Sequence, residues 1–110
     1  MAFKRTQTPT FPVKVTVNIP NATGGFDKST FTAIFKRATL DEAKDLRELN
    51  LTPEDLCRRQ LVDWEMKDAD TGEDVPFCKA ELEAALQILP TPLATATAFW
   101  ESVNGARSKN

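Results

Sequence analysis

The run VKVTVNI, residues 13–19, and the run STFTAIFK, residues 29–36, decide the fold between them. In the first, Val13, Val15, Val17 and Ile19 alternate with Lys14, Thr16 and Asn18, which is the two-residue period of a half-buried strand. In the second, Phe31, Ala33 and Phe35 share one face while Thr30, Thr32, Ile34 and Lys36 share the other. The intervening Asn21–Lys28 contains Gly24-Gly25, so the two runs are expected to form an antiparallel hairpin. Two strands alone are marginal in water, and the Val and Phe stripe must therefore be covered by helices.

Helix signals follow in order. Thr39 and Glu42 match a capping box: the hydroxyl accepts from the third helical amide and the carboxylate reaches back to the cap. Leu40, Ala43, Leu46 and Leu49 then predict an apolar stripe through about Asn50. Thr52-Pro53-Glu54-Asp55 is a second start, with threonine as cap, proline where its missing N–H costs nothing, and acids at the positive helix end. Leu56, Cys57, Leu61 and Trp64 are expected on the buried side of that helix. A third helix, about Lys79 to Leu89, places Leu82, Ala85, Leu86 and Leu89 on one face and stops at Pro90. Thr91-Pro92 repeats the start signal for a last helix carrying Leu93, Ala96, Phe99, Trp100 and Val103, which ends at Gly105. The expected class is α+β: an N-terminal antiparallel β-hairpin, extended by a short third strand near Val75, packed by about four helices. With 110 residues, 41% of them hydrophobic, the chain fits one domain, residues 1–110, with a flexible arm at 1–10 and a flexible tail at 106–110.

The seventeen residues from Ala84 to Trp100 carry no charge, and the second half of this run reads as a helix without a polar face. Such a helix is either the centre of a core or a surface that another protein covers. Elsewhere charge is segregated: residues 1–40 hold six basic and one acidic side chain, and residues 41–83 hold six basic and fourteen acidic. Opposite patches on one small domain can steer self-association or docking, and they also arise from solvated helix faces. No apolar run is long enough to span a bilayer, because Pro90 and Pro92 interrupt the only candidate, and residues 1–10 do not read as a secretory leader.

Reactive chemistry is sparse. There is no histidine and no tyrosine, no Gly-rich phosphate loop, and no Ser or Cys beside a recognisable base, so no catalytic residue is assigned and an enzyme is not expected. Cys57 and Cys78 lack metal-ligand spacing and read as reduced, partly buried residues. DADTGEDV, residues 68–75, suggests a calcium loop, but Gly72 falls one place early and Lys79 stands where a bidentate glutamate is needed. A tight turn fits better, with Val75 and Phe77 returning to the core. No metal and no cofactor is therefore expected. Basic residues near the strands lack the aromatic interleaving of single-strand readers, which argues against nucleic acid.

Several segments together resemble the phage tail assembly chaperones of long-tailed phages and prophages. They are Met1-Ala2-Phe3-Lys4, Pro9-Thr10-Phe11, the Gly24-Gly25 loop, Thr30-Phe31-Thr32-Ala33 with Phe35-Lys36-Arg37, Leu61-Val62-Asp63-Trp64, Asp70-Thr71-Gly72 before Val75-Pro76-Phe77, and the ending from Phe99 to Asn110. Departures are Cys78, where the family pattern has a Ser or Thr cap, and Met66-Lys67, where small or apolar residues are expected.

The resemblance implies a non-enzymatic protein of the host cytoplasm. It would coat the long, helical tape measure protein until tail tube subunits polymerise around it, and would be absent from the mature virion. It further implies a longer product made by ribosomal frameshifting, whose extra domain recruits tail tube protein; Lys109-Asn110 is compatible with a slippery codon run, which the gene sequence would settle. Homo-oligomerisation is left open, and no membrane partner is implied. Such a chaperone needs an accessible apolar patch with a polar rim. Trp64, Leu93, Phe99 and Trp100 are the candidate protein-binding residues, with filling of the core over the hairpin as the competing role of the three aromatics. The rival functions are a structural tail-completion or tube-associated subunit, which stays in purified particles, and a small nucleic-acid-binding regulator, whose DNA affinity falls steeply with salt.

Overall fold

The computed structural model describes residues 2–105; the expected 106–110 tail and the Lys109-Asn110 pair lie outside the described residues. Among the described residues the architecture is α+β, with a three-stranded antiparallel sheet and four helices. Strand β1 spans Thr10–Pro20 and β2 Phe26–Lys36, paired so that Val13 faces Ala33 and Val15 faces Phe31. The hairpin loop is shorter than expected, because Asn21 closes it locally. Its side-chain oxygen accepts from the N–H groups of Thr23 and Gly25, both at 3.1 Å, and from the Thr23 hydroxyl at 2.8 Å. Gly24 supplies the positive φ of +87° that the turn requires. β2 consequently starts three residues ahead of the expected Ser29, at Phe26.

Helix α1, Leu40–Leu49, begins at the capping box as expected: the Glu42 N–H donates to the Thr39 hydroxyl at 3.2 Å, and the Thr39 N–H donates to the Glu42 carboxylate at 2.8 Å. These bonds to Thr39 hold the Glu42 pKa below the usual glutamate range. Only Ala43 and Leu46 of its apolar stripe face the body, since a single ten-residue helix lying at the edge buries a narrow strip; Leu40 and Leu49 are exposed. Helix α2, Pro53–Gln60, starts at Thr52 as expected but ends earlier than the sequence pattern suggests.

Leu61–Glu65 forms β3, the third strand, which replaces the one expected near Val75. It pairs antiparallel with β2, Ala33 opposite Trp64 and Phe35 opposite Leu61, with a register shift between Ile34 and Phe35. The shift leaves Val62 as an extra residue, so Leu61 and Trp64, three apart, both point into the core. That spacing imitates a helical face. Gln60 joins the two elements, its amide donating to the Lys36 carbonyl at 3.1 Å.

The chain then makes the expected tight turn. The Gly72 N–H donates to the Asp68 carbonyl at 2.7 Å, and the Asp68 carboxylate accepts from the N–H groups of Asp70 and Thr71. Val75 and Phe77 return half-buried. Helix α3, Lys79–Leu86, is shorter than expected, and Leu89 leaves the core to become the cap of α4, Pro90–Val103. Pro90, rather than Pro92, takes the first helical position, and Thr91 lies buried inside the helix instead of capping it. Arg58 ties α3 to α2 through a two-pronged pair with Glu83, at 2.7 and 2.8 Å, while also holding Asp55 at 2.7 Å. Among the described residues no helix is long and apolar enough to cross a membrane.

The core lies between the Val and Phe face of the sheet and α4. Phe99 is fully buried, its ring 5.3 Å from that of Phe35 and 6.4 Å from that of Phe11. The uncharged run is thus core along one side of α4, through Thr91, Pro92, Thr95, Ala96, Ala98 and Phe99. Cys57 is buried beneath α2, its thiol 3.8 Å from the Pro92 carbonyl, and burial with the nearby Glu54 charge pushes its pKa up to about 12. Cys78, expected to be partly buried, is exposed at the start of α3.

Candidate functional site

The four residues singled out as protein-binding candidates separate into two pairs. Trp64 and Phe99 belong to the core. Trp64 is buried against Phe31 and Phe77, and its indole N–H donates to the Val75 carbonyl at 2.9 Å. A buried indole with a satisfied N–H holds the fold together and cannot also present itself to a partner. Both therefore leave the candidate surface: Phe99 fills the space between α4 and the sheet against Phe11 and Phe35, and Trp64 fills the space between the sheet and the returning residues 75–77.

Leu93 and Trp100 stay on the outside. They stand seven residues apart, two helical turns, and so share a face of α4. Leu93 is 63% exposed and Leu89, one turn before it, is 88% exposed, and the exposed Thr97 continues the strip toward Trp100. Trp100 is half-buried, its ring covered by the Arg47 guanidinium of α1 at 4.8 Å. Arg47 also donates to the Asn104 side chain at 3.1 Å. The far end of the strip thus carries a polar rim supplied by α1, beside a cleft of about 330 Å³ lined by Leu46, Leu51, Leu56 and Trp100.

From Leu89 to Trp100 this strip runs about 16 Å at 1.5 Å per residue, and nothing charged lies on it, since residues 84–100 contain no Asp, Glu, Lys or Arg. Leu89 was legible only as a core residue, because the period that places Leu82 and Leu86 inward carries it inward too. The chain leaves that helix at Leu86 and breaks the pattern.

A second apolar feature was not legible at all. Val17 and Ile19 of β1, Phe31 of β2, Met66 after β3, Ala85 of α3 and Ile88 enclose a groove of about 180 Å³. Lys67 and Ala69, from the turn after β3, complete one side of it. Five separate segments contribute, so no local pattern announces it. Among the described residues no cluster of three or more His, Cys, Asp or Glu side chains could hold a metal ion.

No protein-family model, no curated protein and no solved structure matches this chain.

Proposed function

We propose that this protein is a phage tail assembly chaperone that shields apolar helices of a tape measure protein before the tail tube forms. The observation that carries the reading is the pair Leu89, at the cap of α4, and Leu93, one turn on: both face solvent at the start of a helix whose opposite side is committed to the core, in line with the exposed Thr97 and the half-buried Trp100. A partner helix laid along this strip buries Leu89 and Leu93 at once, the helix-in-groove mode of recognition. Association through exposed leucines is reversible by design, because the same surface tolerates water when the partner leaves for its place inside the tube. The resemblance in sequence supports the same role, with tail tube protein as a further partner of a frameshift-extended form and the host cytoplasm as the site of action.

Purified phage particles test the reading against its rival, a structural tail subunit. Quantitative mass spectrometry is expected to find the protein in infected or induced cells and to miss it in particles, whereas a stoichiometric presence in particles would establish the structural role instead.

A further inference from the structure

The charge segregation of the sequence acquires a geometry in the fold, and it is unrelated to the outer strip of α4. The apolar groove formed by Val17, Ile19, Phe31, Met66, Ala85 and Ile88 borders the turn after β3. Ala69 lines the groove between Asp68 and Asp70; Lys67, which also lines it, is paired with Asp74 at 2.7 Å, so residues 67–74 keep Asp68, Asp70 and Glu73 as an acidic excess beside the groove. The groove's volume of about 180 Å³ suits one aromatic side chain, since an apolar cavity of about 150 Å³ takes up benzene. An occupant therefore needs one ring with cations beside it.

The chain carries such a segment. Phe3 is 87% exposed and is followed by Lys4-Arg5. It cannot reach its own groove. Arg37 fixes the base of the arm: its backbone N–H donates to the Pro9 carbonyl at 2.9 Å and its side chain to the Thr8 carbonyl at 2.7 Å. From Thr8 the five residues back to Phe3 span at most about 18 Å. The groove lies toward the other end of β1, at Val17 and Ile19, nine or more residues from Thr8 and so about 30 Å away.

We infer that the groove receives the Phe3-Lys4-Arg5 arm of a second copy of this chain, Phe3 entering the apolar slot and the two cations facing the acidic turn. Arm and groove sit toward opposite ends of β1, so each copy can donate one arm and accept another, either reciprocally between two antiparallel copies about a two-fold axis or head to tail along a ring or chain.

Sedimentation velocity of the full chain over a wide concentration range, at low and high ionic strength, tests this. The expected result is a mass that rises with concentration and falls with salt. Phe3→Ser, on a side chain that the fold barely touches, is expected to weaken association about 10-fold or more. Lys4→Glu/Arg5→Glu is expected to abolish it, and mixing that variant with an Asp70→Lys/Glu73→Lys chain is expected to restore it. A wild-type chain that stays monomeric throughout, association that survives Phe3→Ser, or a charge-swapped mixture that stays apart overturns the inference.

Discussion

Replacing Leu89 and Leu93 together with serine separates a binding strip from a core. Full burial of a leucine side chain stabilises by about 1.5–3 kcal/mol. Leu93 is 63% exposed and Leu89 88% exposed, so the fold uses about a third of the first and an eighth of the second. The double variant is therefore expected to lose only about 1 kcal/mol of stability, which in a domain of this size lowers Tm by about 4–8 °C. A partner that covers both residues recovers the unused area, about 2–4 kcal/mol in all, so its affinity is expected to fall by between about 30-fold and 1000-fold. The assays are thermal unfolding by circular dichroism and titration of a tape measure fragment followed by isothermal calorimetry. A large loss of stability would show that these leucines are core residues, and unchanged affinity in a stable variant would remove the strip from the binding surface.

Three further outcomes follow from single sites. Phe99→Ala empties the centre of the core and is expected to cost about 3–5 kcal/mol in urea unfolding. Thr95 is buried with its hydroxyl unpartnered, so Thr95→Val, which keeps the branched shape, is expected to stabilise by about 1 kcal/mol, read as a higher Tm. The Glu42 pKa is lowered in the fold by its bonds to Thr39; its contribution is present above the unfolded glutamate pKa and is lost as pH falls through the folded one. The stability difference between wild type and Glu42→Gln is accordingly expected at neutral pH and expected to vanish in acid, which denaturant titrations across that range would show.

Much of the fold could be read from neighbours in sequence, and the site less so. The hairpin followed from strict alternation in residues 13–19, and both N-terminal caps, at Thr39 and Thr52, followed from residues three apart or adjacent. What failed were patterns that long-range contacts override. Leu61 and Trp64 kept helical spacing because a bulge at Val62 put them on one face of a strand. Leu89 kept the period of α3 but was carried outward by the turn into Pro90. Of the four candidate residues, Leu93 and Trp100 remain at the surface, while Trp64 and Phe99 are core, since composition alone cannot tell which aromatics the sheet will claim. The groove beside the acidic turn draws on five segments and has no signature in any one of them.

Co-expression with a soluble-tagged fragment of the tape measure protein tests the shielding role at its root. The proposal requires a complex that survives purification and raises the fragment's solubility, with both effects lost in the Leu89→Ser/Leu93→Ser variant. A fragment that aggregates to the same extent with and without this protein, and that never co-purifies with it, would contradict the proposal.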